Sequence, residues 1–325
     1  MDSSAGSAPV NSRESQAPAM KVLLCGHRAF AAQGLTYLLE RRGHDVDHFS
    51  RGLPRPADGS IGGPVLDLDV NPGLSARYDA VINFIVLRGE SVAANIAYFE
   101  ALLRMCRRHE AKHLIQISSM SVYRDWVRCV TEQAPTKPCP SPSGGYAASK
   151  LAAELYLRRH ADGIKVSIVR PACIVGQGMP DPLGSVGMLL PTREVLVLGP
   201  GLRRRPVIAR SVLHQLVARL VSDPPHHGLE TLLAVDRNSP TFLEYLQACC
   251  DVFKVGARAV CRPTPLWFGA FLRRELRNGW SGASLERSVS NLAQRCLMQE
   301  YDPSWSEGRA GVGFTVDWRR ELSGN

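Results

Sequence analysis

The stretch MKVLLCGHRAFAAQG, Met20–Gly34, decides how the rest of the chain is read. Val22 to Cys25 form a short apolar run that stops at Gly26, as a strand buried on both faces of a parallel sheet would. Small residues follow. The segment FAAQGLTYLLERR (30–42) then sets Leu35, Leu38 and Leu39 at helical spacing, and Gly43 ends it like a C-cap. A second strand is expected over HDVDHFS (44–50), which completes a strand–turn–helix–strand unit.

The same alternation continues outward. PVLDLDV (64–70), YDAVINFIV (78–86), HLIQISS (113–119) and KVSIVRP (165–171) read as further strands, with helices over 91–109 and 144–160. Strands separated by helices of this length imply right-handed crossovers and an α/β, doubly wound, Rossmann-like parallel sheet. Beyond Pro171 the regularity falls away. Gly and Pro punctuate 176–206, a helix is expected over 211–221, and LETLLAV (229–235) is a candidate strand returning to the sheet. Segments 240–253 and 262–299 read as mainly helical. The expected organisation is a disordered tail at 1–19, a dinucleotide-binding core at 20–175, and a smaller, mainly helical C-terminal substrate lobe at 176–325, set over the carboxyl edge of the sheet.

Composition narrows the class. The chain has 325 residues, 45% of them hydrophobic, which is ordinary for a globular protein. No apolar run approaches the ~18 residues of a membrane span, and the Ser-, Ala- and Pro-rich first nineteen residues lack the apolar centre of a signal peptide, so Met20 is a candidate start. The nine cysteines are irregularly spaced and make no metal motif, which predicts reduced thiols in a cytoplasm. The net charge of +9 is mostly scattered arginine with no nucleic-acid motif beside it. It suits an anionic small molecule better than nucleic acid. The histidines His113, His214, His226 and His227 have no ligand spacing and read as packed or surface groups.

The loop after the first strand reads G-x-x-A-x-x-A, with Gly26, Ala29 and Ala32 at intervals of three and Phe30 between them. Small residues here let backbone N–H groups and a helix start approach a pyrophosphate. The second strand ends in Ser50 and Arg51 rather than in the carboxylate that would accept from a ribose 2′-hydroxyl. With Arg28 inside the loop, two arginines are available to a 2′-phosphate, which favours NADP(H) over NAD(H). Asp47 is the competing ribose ligand, but it lies before the strand ends.

The chemistry is expected at SGGYAASKLAAE (143–154). Tyr146 and Lys150 are i and i+4, so they share a helical face, although such a spacing alone is often just a surface pair. Context adds Ser119, at the carboxyl end of the fifth expected strand. Hydride transfer at a carbon bearing oxygen requires a proton to move at that oxygen. A tyrosine titrates near pH 10 unless a neighbouring cation stabilises its phenolate. Lys150 is the expected cation and a candidate ligand for the cofactor ribose. Ser119 is the expected hydrogen-bond donor to the substrate oxygen.

In combination these segments, with VSIVRPACIVGQG, resemble the extended short-chain dehydrogenase/reductase family, relatives of nucleotide-sugar epimerases and ketosugar reductases, over about 20–180. The resemblance implies catalytic roles for Ser119, Tyr146 and Lys150, and a dinucleotide site that includes Asp67 and Leu68 beside the adenine. It also implies a homodimer formed through a helix pair. GHR at 26–28 resembles the loop of NADP-using GDP-fucose synthases. Departures are visible: Ala29 and Ala32 replace glycines, Cys173 stands where the family often has Asn, and VIARSV, with Arg210 and Ser211, replaces an acidic stretch. Met120 and Ser121 follow the serine where a dehydratase has Asp and Glu, so elimination of water is not expected. The resulting expectation is an NADP(H)-dependent oxidoreductase acting on a carbonyl/secondary-alcohol pair, its substrate nucleotide-, coenzyme A- or carrier-linked. The alternatives are an epimerase that recycles its cofactor in each turnover and a non-catalytic NADP-binding regulator.

Overall fold

The computed structural model describes residues 18–52, 59–124, 127–137, 145–183, 188–198, 201–254, 256–262 and 299–324. Most of the tail (1–17), Cys139, and residues 263–298 of the segment expected to be mainly helical at 262–299, with Cys296 among them, lie outside the described residues.

Seven parallel strands form the central sheet: β1 (Lys21–Cys25), β2 (Asp45–Arg51), β3 (Ile61–Gly63), β4 (Ala80–Asn83), β5 (His113–Ile117), β6 (Lys165–Pro171) and β7 (Leu229–Ala234). Their order is β7-β6-β5-β4-β1-β2-β3. Val22 pairs with Val46 on one side and Ala80 on the other, so β1 is central and apolar on both faces. The order reverses between β1 and β4. That reversal splays the connections apart beyond the carboxyl ends of these strands and opens a crevice there.

Helices cover both faces. On one, α2 (Val92–Arg108) and α3 (Tyr146–His160) bury Tyr98, Phe99, Leu102, Ala153 and Leu157 in a cluster with Leu23 and Leu114. The buried positions of α2 recur at three- and four-residue intervals, and Ser91 caps the helix by accepting from the Ala94 N–H at 3.1 Å. On the other face, α1 (Leu35–Arg41) and α4 (Arg210–Ser222) bury Leu35, Leu39, Leu213, Leu216 and Val217 with Val22 and Leu24. Each such leucine contributes roughly 2 kcal/mol through the apolar area it removes from water.

Two elements differ from the sequence reading. Residues 64–70 are not a strand: Val65–Val70 is a 3-10 helix, and the edge strand is Ile61–Gly63. Pro64 has no N–H to continue the ladder, and the apolar residues behind it pack at three-residue intervals, with Val65 and Leu68 in the α2-side cluster. The helix expected at 30–42 is interrupted. Phe30–Ala32 is a 3-10 turn, Gly34 adopts φ +92°, and α1 begins at Leu35.

The second half of the chain adds small sheets and helices. Cys173–Val175 pairs in parallel with Val207–Ala209, and Glu194–Leu198 pairs with both Met188–Leu189 and Arg258–Arg262. Helix α5 (Phe242–Phe253) starts with a capping box between Thr241 and Glu244. It buries Tyr245, Leu246, Cys249 and Cys250 in a cluster with Val195, Trp318 and Leu322. Cys25, Cys106, Cys129, Cys173, Cys249 and Cys250 are free thiols. No described helix is long and apolar enough to cross a membrane, and no metal-ligating cluster occurs among the described residues.

Candidate active site

A cavity of about 890 Å³ lies in the crevice at the carboxyl ends of β1, β4 and β5. Gly26, Arg28, Ala29 and Phe30 line one end with Ser50 and Arg51, Phe84 to Val86 follow beyond β4, and Ser119, Tyr146 and Lys150 line the other. Across from them stand Cys173, Asp181, Arg205 and Tyr245 from the second half of the chain.

The loop end is fixed by close packing. Gly26 has φ +84°, and its N–H donates to the Phe49 carbonyl at 2.8 Å. A Cβ there would lie 3.0 Å from Ile85 Cγ1 and 3.3 Å from the Ile85 N, so a side chain is excluded on two grounds. Helix α4 holds the following turn from outside. The Arg210 guanidinium sits 4.8 Å from the Phe30 ring centre, and His214 Nε2 is 2.8 Å from the Ala31 carbonyl. Ala31 lines the cavity, whereas Ala32 is buried in the core. Ser50 Oγ is buried without a hydrogen-bond partner and Arg28 donates to Ser60 Oγ at 2.8 Å. Asp47 faces elsewhere, accepting from Lys21 at 2.6 Å, Ser75 at 2.6 Å and Tyr78 OH at 2.7 Å.

Beyond β4 the cavity wall depends on a buried polar network. Asn83 donates to Gln116 at 2.8 Å and accepts from the Ile85 N–H at 3.0 Å and Tyr98 OH at 2.7 Å. With each group satisfied in a dry environment, the turn carrying Ile85 and Val86 is held in one conformation.

At the chemical end, α3 begins at Tyr146, so Tyr146, Lys150 and Glu154 follow one another on successive turns of one face. The Ser119 hydroxyl accepts from the Ser121 N–H at 3.1 Å and lines the cavity together with Tyr146. Lys150 Nζ lies 5.8 Å from the Tyr146 ring centre and donates to the Ile117 carbonyl at 2.6 Å. Arg88, from the loop after β4, lies over the same ring at 5.4 Å. Burial raises the Tyr146 phenol, while the charge of Arg88 and the neighbouring Ser119 hydroxyl oppose the rise. Burial, and then repulsion from Arg88, bring Lys150 down to about 7, with Glu154 pulling the other way. Below it, Glu154 accepts from Arg170 Nη2 at 2.6 Å and from Ser118, and Arg170 sits 4.7 Å from the Tyr123 ring centre. This dry ion pair ties α3 to β6, and the bond from Ser118 ties it to the segment that carries Ser119.

A model of the NAD dependent epimerase/dehydratase family matches residues 22–209. The chain belongs to that family. Its members' fold is also the fold of solved structures to which it is similar at low identity. UDP-glucose 4-epimerase from Bifidobacterium longum, in complex with NAD+ and UDP, is 21% identical with a TM-score of 0.64, covering 93% of this chain and 96% of that one. UDP-N-acetylglucosamine 4-epimerase from Bacillus cereus is 13% identical with a TM-score of 0.64, covering 94% and 98%. The NAD-dependent NDP-hexosamine 5,6-dehydratase TunA is 17% identical with a TM-score of 0.63, covering 93% and 95%. No curated protein matches.

Within this epimerase/dehydratase chain, the cavity brings together Gly26, Arg28, Ala29, Phe30, Ser50, Arg51, Ser119, Tyr146 and Lys150. It does not include Ala32, Asp67 or Leu68. Leu68 is fully buried against the α2 side of the sheet, and Asp67 is exposed on the 3-10 helix. The sequence reading missed Arg88, Arg205 and Tyr245. For Arg88 a signal existed in its position just past the end of β4, at the sheet's reversal point. Arg205 and Tyr245 carry none, because folding alone brings them from distant segments.

Proposed function

We propose that this family member transfers a hydride between NADP(H) and a carbon bearing oxygen on a nucleotide-linked sugar, with Tyr146 exchanging the proton at that oxygen. The observation that carries the reading is the convergence of Ser119, Tyr146 and Lys150 at one end of a cavity whose other end is the Gly26 loop. The residues fit a dinucleotide: the side-chain-free approach at Gly26 suits a pyrophosphate, and the unpartnered Ser50 hydroxyl and two arginines suit the adenosine end. A bound nicotinamide would supply or accept the hydride. Ser119 would hold the substrate oxygen against the phenol, and Lys150 would fix the end of β5 beneath it.

The 2′-phosphate preference rests on Arg28 and Arg51, and on the engagement of Asp47 by three other partners. The NAD named for the similar structures points the other way, and titration decides between them. The sugar nucleotide is supported by the UDP-sugar epimerases among those structures and by a second cavity of about 330 Å³. It adjoins the first at Ser119 and Cys173, and Arg203 and Arg205 in its wall can face a phosphate.

A second reading, epimerisation with the cofactor recycled, is favoured by the 4-epimerases among the similar structures. Native mass spectrometry of the isolated protein, followed by incubation with UDP-sugars, separates the two. Stoichiometric NADPH consumption supports net reduction, and a stereoisomeric product without net consumption supports epimerisation. Absence of dinucleotide binding overturns both.

A further inference from the structure

The cavity of about 330 Å³ beside Ser119 carries more positive charge than a linking diphosphate accounts for. Its charged lining residues are three arginines, Arg124, Arg203 and Arg205, and no Asp or Glu lines it among the described residues. None of the three makes an ion pair among those residues. They stand on two different segments. Arg203 and Arg205 lie just ahead of the strand Val207–Ala209, whereas Ser119, Ser121, Tyr123 and Arg124 follow directly from the end of β5. We propose that the Ser119–Arg124 wall reads a carboxylate carried on the sugar ring itself, which makes the substrate a nucleotide-linked hexuronate rather than a neutral hexose.

The balance of donors and acceptors favours an acid. Tyr123 is 4% exposed, and its hydroxyl, like Ser121 Oγ and Arg205 Nε, is buried with no hydrogen-bond partner. Buried polar groups ordinarily find one, so three such groups around one cavity mark a site built for a ligand. A neutral sugar hydroxyl donates as well as accepts and needs an acceptor in the wall. The amide oxygen of Gln299 already accepts from Arg203 at 2.7 Å and from Tyr301 OH at 3.3 Å. A carboxylate only accepts, and a guanidinium flanked by hydroxyls suits it. The wall is also held in advance. The Arg124 N–H donates to the Pro135 carbonyl at 2.9 Å, and Tyr123 pairs with Thr136 in an antiparallel bridge. Arg124 Nε donates to the Thr136 carbonyl at 3.0 Å, which leaves its two terminal nitrogens for a ligand.

The inference rests on the nucleotide-linked sugar of the proposed function, and binding measurements separate the two. Calorimetry on the full chain, with NADP+ or NAD+ bound, compares UDP-glucuronate with UDP-glucose and GDP-mannuronate with GDP-mannose, alongside UDP and GDP. At least one uronate is expected to bind about tenfold or more tightly than its neutral partner, the effect of a charge-assisted bond to a carboxylate. Arg124→Gln alters an exposed side chain and should remove that advantage, and Arg124→Lys should keep part of it. Equal binding within each pair overturns the inference and leaves the nucleotide-sugar reading standing. An Arg124→Gln variant that loses UDP and GDP as strongly as the uronates also overturns it, because the wall then holds the diphosphate. Binding of none of these ligands overturns both readings.

Discussion

Lys150 Nζ reaches back from α3 to the carbonyl oxygen of Ile117, the last residue of β5, at 2.6 Å. The bond satisfies a backbone acceptor at the strand end, but it requires an ammonium to sit in a dry site. Burial and Arg88 lower its folded-state pKa from 10.5 to about 7, so between pH 7 and 10.5 the unfolded chain binds more protons. This group therefore makes stability rise with pH across that window, and its full penalty is present below pH 7. Lys150→Met is expected to stabilise the fold by about 1–3 kcal/mol at neutral pH, the desolvation relief exceeding the lost hydrogen bond. Thermal melts at several pH values check this. The gain should shrink towards pH 10.5, and a Tm lowered at neutral pH would show that the bond outweighs the burial.

Tyr146→Phe removes one oxygen from a ring that stands 42% exposed at the cavity. No packing is lost, and the Gly26-loop end of the cavity is untouched. Turnover should fall by at least ~100-fold while the dinucleotide binds as before, because general acid–base transfer contributes about that much. Steady-state kinetics with a fluorescence titration of cofactor provides the comparison.

Arg28 and Arg51, which the proposed function sets against the adenosine end of the dinucleotide, make a directional prediction. Arg28→Ala and Arg51→Ala should each weaken NADP(H) by ~10–100-fold and barely alter NAD(H), since a charge-assisted bond to phosphate contributes about 1.5–3 kcal/mol. Tighter binding of NAD(H) than NADP(H) by the unaltered protein would remove the premise.

How much of this was legible in advance depended on whether a residue's role is local. Strand β6 was read at its full extent, Lys165–Pro171, because six of its seven residues are buried and Val166, Ile168 and Val169 mark it as a β-rich apolar segment ending at a proline. Segment 64–70 misled because an apolar stretch carries no mark of whether it pairs or coils, and Pro64 at a sheet edge made that choice. That Tyr146 and Lys150 share a helical face was readable from their spacing of one turn, and α3 brings both to the cavity. Ala32 shows the opposite limit: a small residue at a three-residue interval fits a phosphate loop and a packed core equally, and here the core has it. The opposing cation on Tyr146 escaped notice altogether, since Arg88 and Tyr146 are neighbours only through tertiary contact.

His113 offers a pH test away from the cavity. It opens β5 and is 2% exposed, with Nε2 3.0 Å from Ser167 Oγ, which donates onward to Glu230 at 2.7 Å. Its Nδ1 has no partner. Burial, reinforced by Lys165 and Arg309 against the weaker pull of Asp223, lowers its pKa from 6.5 to about 3. Between those values the unfolded chain takes up a proton that the folded one refuses, so stability must fall as pH falls through that range. The slope from this one group reaches at most about 1.4 kcal/mol per pH unit. His113→Asn keeps a polar side chain of similar reach to Ser167 but cannot titrate. Chemical denaturation from pH 7 down to pH 4 should therefore show a shallower loss of stability in the variant than in the parent. Parallel curves would mean that His113 is protonated within the folded protein, and that the Ser167–Glu230 pair rearranges to receive it.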